Sequence, residues 1–356
     1  MIGFVVTPGF EAALVSEITP WVTAAAVVAP GVVTGQSRLT DEQALPDPVF
    51  ARQLLPDARV VSAPSVNALA EAAYAALEAA IDDGGGPFTL HAYAVLAEAD
   101  EAPGLGSRVE LVGRETLALL QKRRRRAFAR YLPPDEFAAA AHVPPAAAAP
   151  PPMLLQLLAL ERTSLLVSAA PVGARAAGGL TLAPWPAGLA PVAVDRAPPS
   201  RAYQKLEEAF AWMNAAPGAA DVCVDLGASP GGWTMTALKR GARVIAVDRA
   251  ALEAPAAPHP RLTMTIGNAF TYEPPHPVDW LLCDVICEPP RTIALVETWL
   301  ARRWCQRLVC TVKFKGRDGY DVLGRLPALL AEAGLRFGRV KHLGHNKNEV
   351  TVMGLR

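Results

Sequence analysis

Short apolar runs punctuated by Gly, Pro and charged residues recur along the whole chain, and their period switches between two and three to four. Such a pattern predicts strands alternating with helices. Residues 2–6, Ile-Gly-Phe-Val-Val, read as a strand, and Pro8-Gly9-Phe10-Glu11 turns into a helix carrying Leu14, Val15 and Ile18. Apolar segments follow at Ala24–Val33 and Val60–Val61, with Phe50-Ala51-Arg52-Gln53 between them. Thr89–Leu96 reads as a strand flanked by helices at about residues 66–81 and 107–130. Ala138–Met153 is rich in Ala and Pro and is expected to be an exposed loop, because Pro cannot continue a helix interior. Leu154–Leu160 is then expected to be helical and Ser164–Ala169 a strand. This mixture suits one or two small α+β units rather than a repeat array.

Gly188–Pro199 reads as a linker, and beyond it the pattern becomes regular. A helix from Ser200 carries Leu206, Ala209 and Phe210 on one side. Strands are expected at Val222–Leu226, Val244–Val247, Arg261–Ile266, Trp280–Cys283 and Arg307–Val312, with two closing strands at Arg336–His342 and Glu349–Gly354. Helices at Trp233–Lys239, Ile293–Arg303 and Val322–Ala333 separate them. Strand and helix in alternation predict an α/β fold with a mostly parallel, doubly wound sheet.

Length and charge sharpen the division. At 356 residues the chain has room for two or three domains. No run is long and apolar enough for a membrane span, and Met1–Phe10 lack the basic segment and apolar block of a signal peptide. The five cysteines (Cys223, Cys283, Cys287, Cys305, Cys310) all lie late in the chain. Their odd number suits reduced thiols in a cytoplasm. Cys283 with Cys287, or His342 with His345, lack a second pair at ligand spacing, so no metal is expected. Net charge is zero, yet residues 1–194 hold 13 Lys/Arg against 18 Asp/Glu and the rest 21 against 16. A basic carboxyl-terminal part points to a polyanionic partner.

The densest chemistry is Val222-Cys-Val-Asp225-Leu-Gly227-Ala-Ser229-Pro230-Gly231-Gly232-Trp233-Thr234. A strand emptying into a glycine turn and a helix presents backbone N–H groups to a ligand at the carboxyl edge of a sheet. The spacing is neither a dinucleotide fingerprint nor a P-loop. It resembles motif I of S-adenosylmethionine-dependent methyltransferases, in the Asp-x-Gly-x-x-Pro-Gly-Gly-Trp form of FtsJ-like RNA 2′-O-methyltransferases. Asp248, closing the second strand, can accept hydrogen bonds from ribose hydroxyls, and Asn268 follows the third strand where such enzymes place an Asp toward the adenine.

Lys205, Asp284, Lys313 and Glu349 can converge beside that turn. The reaction they suit is removal of a proton from a ribose 2′-hydroxyl during attack on a sulfonium methyl. A lysine serves as a base only when desolvation or a second ammonium disfavours its charged form. Lys313 is the expected base, with Lys205 orienting the hydroxyl and Asp284 and Glu349 positioning both lysines. The set resembles the Lys-Asp-Lys-Glu tetrad of the FtsJ-like enzymes. With Ser200-Arg201, Cys283-Asp284, Trp304-Cys305 and Glu349-Val-Thr-Val352, it is similar to the M-type family of bacterial large-subunit ribosomal RNA cytidine 2′-O-methyltransferases. The likeness is strong over 200–356 and patchy before it.

That resemblance implies S-adenosyl-L-methionine as cofactor, held by Ser200, Asp225, Ser229, Pro230, Gly231, Gly232, Asp248, Asn268 and Asp284. It implies 23S ribosomal RNA or its precursor as partner. It also implies a ferredoxin-like region at 1–60, a THUMP-type RNA-binding region at 61–187, a linker at 188–199 and a Rossmann-like methyltransferase domain at 200–356. The sequence departs from the family at Ser229, usually Cys, at Ala202, usually Ser, at Asn268, and in Phe314-Lys315-Gly316-Arg317, where Lys315 offers a rival base. A catalytically silent RNA-binding protein with the same fold is the alternative. A base or protein methyltransferase is disfavoured, because Asp284-Val-Ile-Cys-Glu-Pro-Pro lacks an Asn/Asp-Pro-Pro-aromatic string.

Finally, Lys122, Arg123, Arg124, Arg125 and Arg126 are consecutive cations expected on one helix. Their mutual repulsion calls for an anion, and RNA phosphate is the expected one, against a solvated helix end as the alternative. Phe128 and Tyr131 flank the run and are expected in the core.

Overall fold

The computed structural model describes residues 1–38, 47–95, 104–143, 149–172, 182–253 and 258–356. The chain divides into an amino-terminal unit, whose described residues end at Leu189, and a carboxyl-terminal unit, Ala190–Arg356.

In the first unit, β1 (Ile2–Val6) is buried along its whole length, and α1 (Glu11–Ile18) buries Leu14 and Ile18, one turn apart on the same face. Strands β2 (Val22–Ala29), β3 (Val32–Ser37) and β4 (Ala51–Leu55) complete a sheet in the order β2-β3-β1-β4. Next come β5 (Arg59–Ser62) and α2 (Val66–Leu77), which Ser65 caps by accepting from the Ala68 N–H at 3.2 Å. They are followed by β6 (Phe88–Ala94), α3 (Leu105–Arg123), α4 (Arg125–Phe128), α5 (Pro134–Ala141), β7 (Met153–Glu161) and β8 (Ser164–Pro171). These strands form a second sheet, β5-β8-β7-β6, in which only β6 and β7 run parallel.

Two expectations fail here. Leu154–Leu160 is strand, not helix: it lies in β7, between two partners, with Leu155, Leu157 and Ala159 packed under α2 and α3 and Leu158 against Val5, Leu55 and Tyr93. A strand covered on both faces is apolar without alternation, so periodicity could not tell it from a buried helix. Ala138–Ala141 close α5, with Phe137 fully buried, instead of belonging to a loop. Positions 144–148 of that stretch, Leu96 of the expected strand, and residues 39–46 of the region expected to be ferredoxin-like lie outside the described residues.

In the second unit, residues 190–202 carry no helix or strand. Then follow α6 (Tyr203–Met213), β9 (Val222–Leu226), α7 (Gly232–Lys239), β10 (Arg243–Asp248), β11 (Leu262–Ile266), β12 (Val278–Cys283), α8 (Pro289–Ala301), β13 (Cys305–Lys313), α9 (Arg325–Glu332), β14 (Phe337–Lys341) and β15 (Glu349–Leu355). The sheet runs β11-β10-β9-β12-β13-β15-β14, parallel from β11 through β13 and antiparallel at β15 and β14. This is the doubly wound α/β architecture expected from the sequence. The order reverses between β9 and β12, and a crevice opens at the carboxyl ends of strands at such a reversal. Trp280 of β12 is fully buried, edge-on to Phe210 of α6 at 5.3 Å, which fixes α6 against the sheet below that crevice. Among the described residues, no helix is long and apolar enough to cross a membrane, and all five cysteines are free.

Candidate active site

The turn after β9 is built by what its glycines omit. Gly227 has φ +77, and a Cβ there would lie 2.6 Å from Val285 Cγ2 and 3.1 Å from Val285 Cα. Gly231 has φ +119, and a Cβ on Gly232 would collide with Ser200 Oγ. Only glycine meets both demands. The Trp233 indole donates to the Ala202 carbonyl at 2.8 Å, pinning the start of α7 to the segment before α6. The Ser229–Pro230 peptide bond is cis.

Asp225 is 1% exposed. One carboxylate oxygen accepts from Thr234 Oγ1 at 2.6 Å, and the other, Oδ1, has no partner. Burial pushes its carboxyl up to about 7, against the lowering effect of the Thr234 bond. Asp248 accepts from the backbone N–H of Ser229 and of Ala250, each at 3.0 Å, and keeps lone pairs free for other donors. A cavity of about 370 Å³ lies over the turn, bordered among others by Ser200, Ser229, Pro230, Asp248, Asp284 and Lys313. Asn268 is not among its lining residues, and its side-chain oxygen accepts from the Phe270 N–H at 3.1 Å. That bond takes one of the two lone pairs of the Asn268 oxygen and closes the turn after β11.

The four ionisable residues form one cluster. Lys205 Nζ lies 3.0 Å from Asp284 Oδ1 and 3.0 Å from Glu349 Oε1. Lys313 Nζ lies 3.0 Å from Asp284 Oδ1, 4.0 Å from Glu349 Oε2, and donates to the Asp284 carbonyl at 2.7 Å. Two ammoniums thus share two carboxylates. The convergence follows from topology: Asp284 directly follows β12, while Lys313 and Glu349 face each other across the β13–β15 ladder. Lys313 and Asp284 also border the cavity, so cluster and glycine turn open into one space. Lys315, the rival amine, is 88% exposed and paired with Glu288, away from the cluster.

Several supporting residues carried no signal in the sequence. Thr311 Oγ1 donates to Asp284 Oδ1 at 2.6 Å. Asn348 uses its whole amide, donating to the carbonyls of Phe314 and Gly316 and accepting from Tyr320 Oη, which ties the segment after Lys313 to the residue before Glu349. Glu208, fully buried one turn after Lys205, accepts from the Gly344 and His345 N–H groups and from the His345 ring. The polar run His342–Glu349 was the only hint of such a fastened turn.

In the amino-terminal unit, the cation run is not one helix. It breaks at Arg124, with φ −124 and ψ 50, between α3 and α4. Arg123 forms a bidentate pair with Glu71 and lies over the Tyr74 ring, and Arg124 donates to the carbonyls of Glu78 and Ile81. Lys122, Arg125 and Arg126 are exposed.

Residues 198–342 match the family of FtsJ-like methyltransferases. A protein named ribosomal RNA large subunit methyltransferase M from Laribacter hongkongensis is 38% identical over 181 residues, covering 48% of this chain and 51% of that one. Its namesake from Alkalilimnicola ehrlichii is 36% identical over 180 residues, covering 49% and 50%. The chain spans about half the length of the curated relatives it matches. Among solved structures, a 1,6-didemethyltoxoflavin-N1-methyltransferase from Burkholderia thailandensis aligns with a TM-score of 0.32 at 19% identity, over 44% of this chain and 77% of that one.

Proposed function

We propose that the protein, whose residues 198–342 match the family of FtsJ-like methyltransferases, is an S-adenosylmethionine-dependent RNA 2′-O-ribose methyltransferase acting on a cytidine of large-subunit ribosomal RNA. The observation that carries this reading is the Lys205–Asp284–Lys313–Glu349 cluster opening into the cavity above the glycine turn. The residues present fit the cofactor: a buried Asp225 oxygen without a partner, a glycine cradle without side chains, and Asp248 with lone pairs for ribose hydroxyls. When bound, the cofactor supplies an electrophilic sulfonium methyl.

The chain's own residues do the rest. Lys313 Nζ borders the cavity and takes the proton of the 2′-hydroxyl, which is too weak an acid to ionise unaided. It must be neutral to do so, and the neighbouring Lys205 ammonium competes with it for the same two carboxylates. Asp284, held by Lys205 and Thr311, fixes where the Lys313 amine sits, and Glu349 holds Lys205 from the opposite side. The amino-terminal unit, including the region read as THUMP-type, binds the RNA in this account. A catalytically silent RNA-binding protein is disfavoured because Lys313 faces the same cavity as the turn.

The test is incubation of ribosomal RNA with methyl-labelled cofactor, followed by nuclease mapping. Label on a ribose 2′-oxygen of a large-subunit cytidine is expected. Label confined to a base or to protein would reject the reading.

A further inference from the structure

The cations around residue 124 fall into two kinds. Arg123 and Arg124 are held by Glu71 and by the Glu78 and Ile81 carbonyls, and Arg130 donates to the carbonyls of Asp82, Asp83 and Gly86. These three fasten α3 and the segment after α4 to the end of α2 and the turn that follows. Lys122, Arg125 and Arg126 are exposed and have no hydrogen bond or ion pair among the described residues. Like charges left this close repel one another unless an anion sits between them.

The break at Arg124 also shapes the surface. A concavity of about 490 Å³ is lined by Ala118, Gln121, Lys122, Arg125, Phe128 and Ala129. It thus joins two uncommitted cations, one amide and one aromatic ring. The Phe128 ring lies parallel on Tyr131, with centroids 5.2 Å apart and planes 11° apart. Phe88 meets the same ring at 72° with centroids 6.3 Å apart, so Phe128 is braced by two rings and borders the concavity as an aromatic on which a further flat group can stack.

We propose that this α3–α4 junction seats an unpaired nucleotide of RNA. The base stacks on Phe128, Gln121 hydrogen-bonds its edge, and Lys122 and Arg125 hold the flanking phosphates. Stacking on an aromatic with cations along the backbone is how single strands are held without a fixed sequence. The proposal rests on the reading that the chain acts on RNA, and it names where in the amino-terminal unit the strand is held.

The test is binding of the full chain to a fluorescein-labelled single-stranded RNA of mixed sequence over a salt series. The Lys122→Gln/Arg125→Gln double variant is expected to lower the slope of log affinity against log salt by about 1.4, roughly 0.7 for each phosphate no longer neutralised. Its melting temperature is expected to stay unchanged, because neither side chain has a hydrogen bond or ion pair among the described residues. Phe128→Leu, which keeps an apolar side chain in the core, is expected to weaken single-strand binding roughly five- to a hundred-fold with the slope retained. The Arg123→Gln/Arg124→Gln variant is expected to melt earlier and keep the wild-type slope. A wild-type slope for Lys122→Gln/Arg125→Gln, or an equal loss in both double variants, would overturn the seat while leaving the methyltransferase reading intact. Conversely, a wild-type protein that shows these binding effects but transfers no methyl group would sink that reading and leave the seat standing.

Discussion

Among the described residues of the amino-terminal unit the buried polar side chains are Thr34, Gln53, Thr89, His91, Thr116, Gln156 and Ser168, none of them Asp, Glu, Lys or Arg; in the carboxyl-terminal unit they include Lys205, Glu208, Asp225, Arg339, Lys341 and Glu349. The first group serves architecture. Gln156 donates to the Leu54 carbonyl and accepts from Tyr93 Oη, and Ser168 donates to the Pro56 carbonyl, which stitches the second sheet to the β4 segment of the first. The second group costs far more to desolvate. Lys205, Asp225 and Glu349 lie at the candidate site, Glu208 fastens the turn at Gly344 and His345, and Arg339 and Lys341 lie on β14. Among the described residues the amino-terminal unit thus buries no Asp, Glu, Lys or Arg side chain, whereas the carboxyl-terminal unit buries several, three of them at the candidate site.

The largest expected effect breaks the charged side of that contrast. Lys205→Met leaves Asp284 and Glu349 facing each other with one ammonium, which is expected to destabilise the protein by about 3–5 kcal/mol as well as to stop methyl transfer, measured by denaturant unfolding and by label incorporation. Leu157→Ala empties a fully buried site between α-helices and sheet in the other unit. It is expected to cost about 2–5 kcal/mol while the affinity for the cofactor in calorimetry stays as in the wild type. Gln156→Leu removes the amide but leaves the Tyr93 hydroxyl and the Leu54 carbonyl without a partner, so a smaller loss of about 1–3 kcal/mol is expected in the same unfolding measurement.

The smallest effects are pH slopes of opposite sign. His91, whose ring nitrogens have no partner, is held by burial at about 4, so the stability it gives is present above its ordinary value of 6.5 and is lost as pH falls toward 4. Asp225 is raised to about 7, so its contribution is present below the ordinary 3.8 and is lost as pH rises toward 7. Melting the cofactor-free protein across this range should show His91→Leu flattening the acid side and Asp225→Asn flattening the neutral side, each by at most about 1.4 kcal/mol per pH unit. Matching slopes for wild type and variants would contradict the difference in burial.

How legible the molecule was in its sequence followed the same divide. The carboxyl-terminal sheet could be read because its strands are short, most are bounded by Gly or a charged residue, and helices of ordinary length follow β9, β12 and β13. Asp225, Asp248, Asp284 and Lys313 were found because strand ends in such a sheet share one edge. Leu154–Leu160 was misread because its strand is covered on both sides, a fact belonging to its partners rather than to its own pattern. The cation run was expected on one helix and breaks at Arg124, and the pairing of Arg123 could not be read because Glu71 lies 52 residues away. Asn268 was singled out by its place after the third parallel strand, and the bond its side chain accepts two residues on, as Asn does in turns, could not be read from that place. Glu208 and Asn348 gave no warning, since a helix glutamate and a loop asparagine look like solvated residues until the turn they fasten is folded.

The central claim is that the amine of Lys313 takes the ribose proton beside the glycine turn. Single-turnover transfer of a labelled methyl group to ribosomal RNA by Lys313→Ala, with cofactor affinity measured in parallel by calorimetry, tests it directly. The account predicts a rate lower by roughly 10²–10⁴-fold with cofactor affinity nearly unchanged. Transfer at the wild-type rate would contradict it.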